Sequence, residues 1–361
     1  MQNWRKTSKP IGKKMIAIFL LFTVGILFAA AGCSKEGSSA SENKVFELKL
    51  AHFWPSTHPI ETQLVQPWIK DIEAATDGKV KVVSYPGETL VKANDIYDGV
   101  VNGISDIGIS CFAYTRGRFP VLEVFELPGI IYNNSKAASY VAWEGIKLLN
   151  PQEVQDTKLM MVITTGPGDL FTRDPVRSLA DIKGMEIRAT GLSAKTLAAL
   201  GASPVAMAQS EAYESLSKGV VKGNLGPVEV LKGWKQAEVT KYITKTPFLY
   251  NTLFFFTMNS DVWEKLSPEL QTAITKVNEE YFEKTASGLW DAQDAEALEY
   301  AVGEQDMEVI ELDNDESKKW IELVTPVQKD FVSTMSKMNI NGQDIVEQVK
   351  KLSDKYNALY K

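Results

Sequence analysis

Strand-like and helix-like patterns alternate along this chain of 361 residues, and that alternation limits its possible folds more than any other feature. The segment FELKLAHF (46–53) alternates apolar and polar residues with a period of two, as a half-buried strand does. A helical pattern with apolar residues spaced by four follows at 60–72, and strand patterns return at 79–86 and 106–110. This βαβαβ order predicts an α/β fold with a mostly parallel sheet covered by helices.

A second series of the same kind begins at LMMVITT (159–165) and continues with the strand MEIRAT (185–190). The run NTLFFFTMN (251–259) is apolar enough for a strand that is buried on both faces. From Ser267 to about residue 302 the sequence keeps a helical rhythm, with charged residues between the apolar ones. A helix of that length predicts an element that contacts two lobes.

The N-terminus predicts export. Basic residues without any acidic residue precede an apolar run from Met15 to Ala31, as in a secretory signal. A retained transmembrane helix is the alternative, since the run lies at the lower limit of spanning length. The residues Ala30-Ala31-Gly32-Cys33 resemble a bacterial lipobox, although Ala30 stands where leucine is commoner. The resemblance implies cleavage before Cys33 and lipidation of that cysteine, followed by a polar tether and a folded part from about Val45.

Charge and cysteine content exclude several classes of protein. Without the five basic residues of the leader, 34 Lys and Arg remain against 46 Asp and Glu, a formal net charge of about −12. Such a chain has no excess of cations to displace counterions from nucleic acid. With Cys33 acylated, Cys111 has no partner for an internal disulfide, and its apolar neighbours predict a small buried side chain rather than a nucleophile.

Residues that would support catalysis are scarce. The two histidines, His52 and His58, are six positions apart and lack the further ligands of a zinc site. The segment GPGD (166–169) is better explained as a turn than as a phosphate loop, and no nucleophile elbow or dinucleotide motif occurs. The sequence therefore favours a binding protein over an enzyme and predicts neither a metal nor a cofactor.

Four segments occur in a recognisable order: PGETL (86–90), GRFPVLEVFELPGI (117–130), DIKGMEIRATG (181–191) and LGASPVAMAQSEAYESLSKGVVKG (200–223). Their order and spacing resemble the solute-binding proteins of TRAP transporters, the DctP family, from about Leu48 to beyond Trp263. The resemblance implies a two-lobed fold of the periplasmic-binding-protein type, class II-like, with crossing strands and a long bridging helix between the lobes. The expected division is residues 1–32 as signal peptide and 33–44 as lipidated cysteine and tether. Lobe I is expected at 45–165 plus about 254–290, and lobe II at 166–253 plus about 291–361.

The resemblance also assigns a role to the single arginine of the strand MEIRAT. In the family, the arginine of the K-G-x-x-I-R motif holds the ligand's carboxylate, and Arg188 stands at that position. Independently, ligands of open α/β sheets bind beyond the carboxyl ends of strands, and a guanidinium offers two parallel donors to a carboxylate. Taken alone, a solvated charge on an edge strand would be the commoner explanation of an arginine.

Two departures from the family pattern bear on the ligand. Gly226 replaces the asparagine that usually assists the carboxylate, and Asn224 is the candidate substitute. Gly168 stands near the position where sialic-acid-binding relatives carry a second arginine. The site is therefore expected to bind a ligand with one carboxylate better than a ligand with two. Met207, within the AMAQ segment, and Gly168 complete the set of residues expected to bind the ligand.

Aromatic residues are concentrated in the segments expected to face the cleft. Each one alone is equally well explained by core packing, but as a set beside loops they predict a flat or apolar ligand body. The set comprises Phe53, Trp54, Phe112, Tyr114 and Phe171, with Trp234 as a further candidate.

The resulting hypothesis is an extracytoplasmic receptor, lipid-anchored in the periplasm or at the outer cell surface. It is expected to bind an organic monocarboxylate, with an aromatic or otherwise hydrophobic body as the suggested form, and to deliver it to the membrane subunits of a TRAP permease. Two alternatives remain open at this point: a ligand-sensing module of a signalling system, and a secreted enzyme on the same scaffold.

Overall fold

The computed structural model describes residues 44–361, so the predicted signal peptide, Cys33 and nearly all of the tether lie outside the described residues. The described chain contains eleven strands: β1 (Phe46–His52), β2 (Val80–Tyr85), β3 (Ile107–Cys111), β4 (Thr157–Thr164), β5 (Asp169–Thr172), β6 (Glu186–Ala189), β7 (Ser203–Ala206), β8 (Gly223–Gly226), β9 (Tyr242–Lys245), β10 (Leu253–Asn259) and β11 (Glu308–Glu311).

Helices connect and cover these strands, and the first of them is preceded by a π-helical segment (Ile60–Val65). Within the same residues they are α1 (Gln66–Ala75), α2 (Ile96–Val101), α3 (Ser135–Leu149), α4 (Leu179–Ile182), α5 (Ser193–Ala199), α6 (Gln209–Ser217), α7 (Val230–Gly233), α8 (Ser260–Glu264), α9 (Pro268–Lys284), α10 (Leu289–Gly303), α11 (Asn314–Lys337) and α12 (Gly342–Leu359). None of them is long and apolar enough to cross a bilayer.

The strands form two sheets, as expected of a two-lobed α/β protein. The first sheet has the order β2-β1-β3-β10-β4 and the second the order β11-β9-β5-β8-β6-β7. Both are mixed rather than mostly parallel, because β10 runs antiparallel to β3 and β4, and β5 runs antiparallel to β8 and β9. The chain leaves the first sheet through β4, enters the second through β5 and returns through β10, so the returning strand runs opposite to its neighbours.

The predicted long helix is two helices. The chain is helical from Pro268 to Lys284, departs from helical geometry at Thr285 (φ −130°), and resumes at Leu289 after a short 3-10 turn. α9 packs on the first sheet, whereas Ala297 and Ala301 of α10 belong to the apolar core beside Phe171 of the second. The segment does contact the cores of both sheets, but as two helices rather than one.

A second helix also contacts both cores. In α11, Trp320 and Val324 pack with the core of the second sheet, and Phe331 and Met335 pack with that of the first. α12 then packs with the first core through Ile345 and Val349. The division of the chain into lobes stays a prediction, and residues 342–359, which it assigned to lobe II, lie against the first-sheet core.

One buried hydrogen bond fixes α9 on α1. Nε1 of Trp68 donates to Oδ1 of Asn278 over 2.9 Å, and both side chains are buried. Neither group has access to water, so loss of one partner leaves the other desolvated and unpaired.

We expect Asn278→Ala to lower the free energy of unfolding by about 1–3 kcal/mol, the usual effect of a buried polar group left without its partner. Urea unfolding followed by circular dichroism measures the change. Glu279→Ala, at the exposed neighbouring position of the same helix, is the matched control. Equal shifts in the two variants would contradict the role of this hydrogen bond.

Candidate ligand-binding site

Arg188 lies on β6, an interior strand of the second sheet, and not on an edge strand. It is paired in register with Val205 of β7 and with Asn224 of β8. These three strands run parallel, so their carboxyl ends meet at one edge of the sheet, and Arg188 is one residue from the end of its strand. The side chain is 2% exposed.

Neutral groups hold the guanidinium in place. Nε donates to the carbonyl oxygen of Met207 over 3.1 Å, Nη1 to Oδ1 of Asn224 over 3.3 Å, and Nη2 to the hydroxyl of Tyr114 over 3.4 Å. Tyr114 follows β3, so the last contact joins the first-sheet side to the second-sheet side. Asn224 is itself fixed, because its Nδ2 donates to Oε1 of Gln236 over 2.9 Å.

Within residues 44–361 the positive charge of Arg188 has no counter-ion. No carboxylate oxygen of the described residues lies within 4.0 Å of its side-chain nitrogens. Burial raises the pKa values of the nearby Tyr114, Tyr250 and Cys111, which keeps all three groups neutral at neutral pH. A buried charge without a partner is costly, so this site is suited to an anion.

A small cavity of about 20 Å³ adjoins Arg188. Such a space holds about one water molecule, so the two sides of the site are closed against each other. Its lining residues follow the carboxyl ends of β1, β3, β6, β7 and β8 or lie around the start of β10. They are Phe53, Trp54, Cys111, Tyr114, Arg188, Thr190, Gln209, Pro227, Glu229, Val230, Trp234, Tyr250 and Phe254.

Aromatic rings form one wall of this cavity. The rings of Phe53 and Trp54 stack with centroids 3.9 Å apart, and those of Phe53 and Trp234 are near-parallel with centroids 6.0 Å apart. The edge of Tyr114 meets Phe53 at 5.5 Å. This wall offers ring faces to a flat ligand.

Three polar atoms at the cavity are buried and have no hydrogen-bond partner within residues 44–361. They are Oγ1 of Thr190, Nε2 of Gln209 and Nε1 of Trp234. An amide nitrogen and an indole nitrogen can only donate, and a hydroxyl can do so. Unsatisfied buried donors beside an unpaired guanidinium are what an anionic ligand requires.

Some of the residues expected to bind the ligand line the cavity, and others do not. Arg188, Phe53, Trp54 and Tyr114 line the cavity. Met207 and Asn224 do not line the cavity, but they contact Arg188 and position its guanidinium.

The remaining expected residues lie elsewhere. Phe171 is fully buried in the apolar core beside the second sheet. Gly168 lies against Tyr250 and the carbonyl of Gly226, where a Cβ would come within 2.3 Å of the tyrosine ring. Phe112 lines a neighbouring cavity of about 400 Å³ instead.

The sequence interpretation missed Thr190, Gln209, Tyr250 and Glu229 as cavity residues. Thr190 directly follows β6, and Gln209 begins α6 three residues after β7; both lie within the segments used for the family resemblance, so their position near strand ends was a usable signal. Glu229 and Tyr250 had no local signal, because only the return of β10 and the turn after β8 bring them to the cavity.

Neither histidine belongs to a metal cluster within the described chain: His52 bonds to Glu61, and His58 to Glu229.

The neighbouring cavity contains a carboxyl group with an unusual pKa. Burial raises the pKa of Glu126 to about 8, although the N–H of Leu253 donates to its Oε1 over 2.7 Å. The folded state therefore keeps this proton in a pH range where the unfolded chain releases it. Its contribution to stability is complete below the unfolded pKa of about 4.5 and is lost as the pH rises through about 8.

We expect the unfolding midpoint of the wild type to fall relative to that of Glu126→Gln between pH 5 and pH 8.5, because glutamine keeps the acceptor and cannot ionise. Thermal unfolding at a series of pH values measures the difference. Parallel curves for the two proteins would show that Glu126 does not hold its proton in the folded state.

Comparison with known proteins identifies the family and the fold. Residues 50–334 match the family model of DctP, described as bacterial extracellular solute-binding protein, family 7. A solute-binding protein of Roseobacter denitrificans is 28% identical over 260 residues, which cover 70% of this chain and 79% of the relative.

Two solved structures have the same fold. A marine metagenome TRAP solute-binding protein specific for aromatic acid ligands, in complex with 3-hydroxybenzoate, has a TM-score of 0.82 and 30% identity, covering 87% of this chain and 99% of that protein. A TRAP solute-binding protein of Rhodoferax ferrireducens with copurified benzoate has a TM-score of 0.81 and 25% identity, covering 88% and 100%. The chain belongs to the DctP family of bacterial extracellular solute-binding proteins.

Proposed function

We propose that this protein is the extracytoplasmic receptor of a TRAP transporter and that it binds an aromatic monocarboxylate between its two sheets. The carboxylate forms paired hydrogen bonds with the guanidinium of Arg188, and the ring lies against Phe53 and Trp234. The observation that carries the proposal is the buried, unpaired charge of Arg188 beside three unsatisfied donors. Aromatic acids bound to two similar proteins support the ligand class.

A single acid group fits the charge of the cavity. Among the lining residues Arg188 is the one cation, and Glu229 contributes a carboxylate to the same lining. A second carboxylate on the ligand would therefore be buried without a cation and beside an anion, which is costly.

Binding requires the cleft to open and close. A cavity of about 20 Å³ cannot admit an aromatic acid, so the two sides must separate for entry. Contacts across the gap include Gln209 N–H to the Tyr114 hydroxyl at 2.8 Å and Nε2 of His58 to Glu229 at 3.1 Å. In our proposal the ligand bridges the two sides and stabilises a closed form whose cavity is wider than the present one, and the permease recognises that form.

The rest of the proposal concerns location and delivery. The chain is anchored outside the cytoplasm through lipidated Cys33, and the tether leaves the folded part free to reach the membrane subunits of the permease. Incorporation of a labelled fatty acid that is lost in Cys33→Ser tests the anchor. Wild-type labelling equal to that of the variant would contradict it.

We expect Arg188→Ala to weaken benzoate binding about 100-fold or more, because two charge-assisted hydrogen bonds of roughly 1.5–3 kcal/mol each are lost. Arg188→Lys should also bind weakly, since a point charge does not reproduce the fork. Isothermal titration calorimetry with the full-length protein measures both. Arg177→Ala, which removes an exposed arginine of the same sheet region that pairs with Glu308, is the control. Unchanged affinity in Arg188→Ala would defeat the assignment.

A second prediction concerns ligand charge. We expect isophthalate, which adds a second carboxylate to benzoate, to bind at least about tenfold more weakly than benzoate, since that group would lie unpaired beside Glu229. Competition calorimetry gives the ratio of the two dissociation constants. Tighter binding of isophthalate would mean that the cavity serves two acid groups.

A further inference from the structure

A buried hydrogen-bonded pair lies at the wall of the same cavity and has no part in holding Arg188. Nε2 of His58 and Oε2 of Glu229 are 3.1 Å apart, and their side chains are 0% and 4% exposed. His58 follows β1 on the first-sheet side, whereas Glu229 follows β8 on the second-sheet side. The pair therefore exists only when the two sides are together.

The hydrogen-bond network assigns the proton of the imidazole. The backbone N–H of Ile60 donates to Nδ1 of His58 over 3.2 Å, so Nδ1 provides a lone pair and carries no proton. Nε2 is then the protonated nitrogen and donates to Glu229. Glu229 is the acceptor of this pair.

The second oxygen of Glu229 is unused. Within residues 44–361 no group donates to its Oε1, although the residue is 4% exposed and lines the cavity. The backbone is also arranged around this carboxylate: a Cβ at Gly233 would lie 2.7 Å from Oε2 of Glu229 and 3.0 Å from Nε2 of His58. Oε1 of Glu229 is not fully enclosed, in contrast to the unpaired atoms of Thr190, Gln209 and Trp234, so a ligand in the cavity can reach this oxygen and donate to it.

Aromatic rings separate this pair from Arg188. Starting at Arg188, the contacts run through Tyr114 to Phe53, then to Trp234 and from there to His58, with ring centroids 5.5, 6.0 and 6.0 Å apart. An acid held by Arg188 that lies along these rings extends toward Glu229.

We infer that Glu229 selects ligands with a hydrogen-bond donor on the ring, remote from the acid group, and that the natural ligand is a hydroxylated aromatic carboxylate. The inference rests on the proposed function. A neutral hydroxyl donates to Oε1 of Glu229 in a short charge-assisted bond. It adds no second negative charge to the cavity. A site built around such a bond disfavours analogues that lack the donor, because Oε1 of Glu229 then gains no hydrogen bond while Oε2 stays bonded to His58.

Matched ligands test the inference. Calorimetry with the full-length protein compares 3-hydroxybenzoate with 3-methoxybenzoate and 4-hydroxybenzoate with 4-methoxybenzoate, since a methoxy group cannot donate. For at least one pair we expect the hydroxy acid to bind at least about tenfold tighter in the wild type. In Glu229→Gln, the side-chain amide can donate a hydrogen bond at a position where the carboxylate could only accept one. In this variant that ratio should fall to about threefold or less.

The controls separate this inference from the proposed function. Glu304→Gln makes the same change at an exposed position and should keep the wild-type ratio. If Glu229→Gln weakens all the acids equally, Glu229 acts only as a contact between the two sides, and the inference is wrong. Equal wild-type affinity for hydroxy and methoxy acids, with Arg188-dependent binding of benzoate, overturns the inference and leaves the proposed function intact. Failure of the wild type to bind any of these acids overturns both.

Discussion

The unpaired guanidinium of Arg188 is the constraint on which the candidate site depends. An interior strand buries it, and the backbone of Met207, the amide of Asn224 and the hydroxyl of Tyr114 hold it from three directions. None of these groups neutralises its charge. Folding alone would not favour such an arrangement, because a buried ion pair or an apolar side chain costs less at this position. The unfavourable charge is consistent with a protein whose stable closed state includes an anion.

The two-sheet architecture explains how one charge can control a conformational change. The strands that lead to the cavity belong to different sheets, and the polypeptide crosses between them through β4 and β5, through β9 and β10, and through two helical segments. Contacts that cross the cavity include the polar pairs Arg188 with Tyr114 and His58 with Glu229, together with the aromatic contact of Phe53 with Trp234. A ligand that adds polar contacts to both sides therefore shifts the balance toward closure.

Local sequence patterns predicted most of the strands and helices that depend on them. They did not predict the features that depend on tertiary structure. The strands β1, β2, β3 and β10 lie within two residues of the segments predicted for them, and the arginine of the motif was located on a strand near its carboxyl end. The mixed sheets could not be predicted from periodicity, because strand direction depends on where the chain crosses. The break between α9 and α10 runs from Thr285 to Gly288, and the helical rhythm of the sequence continues across this glycine without indicating it. Glu229 and His58 are 171 positions apart, and no local pattern indicated that they meet.

The central claim is that Arg188 binds the acid group of a solute between the two sheets. A crystal structure of the protein with a bound aromatic acid tests it most directly. The account predicts both carboxylate oxygens within hydrogen-bond distance of the Arg188 guanidinium and the ring beside Phe53 and Trp234. Density for a ligand without an acid group in this cavity, or for an acid held elsewhere with Arg188 turned to solvent, would contradict it.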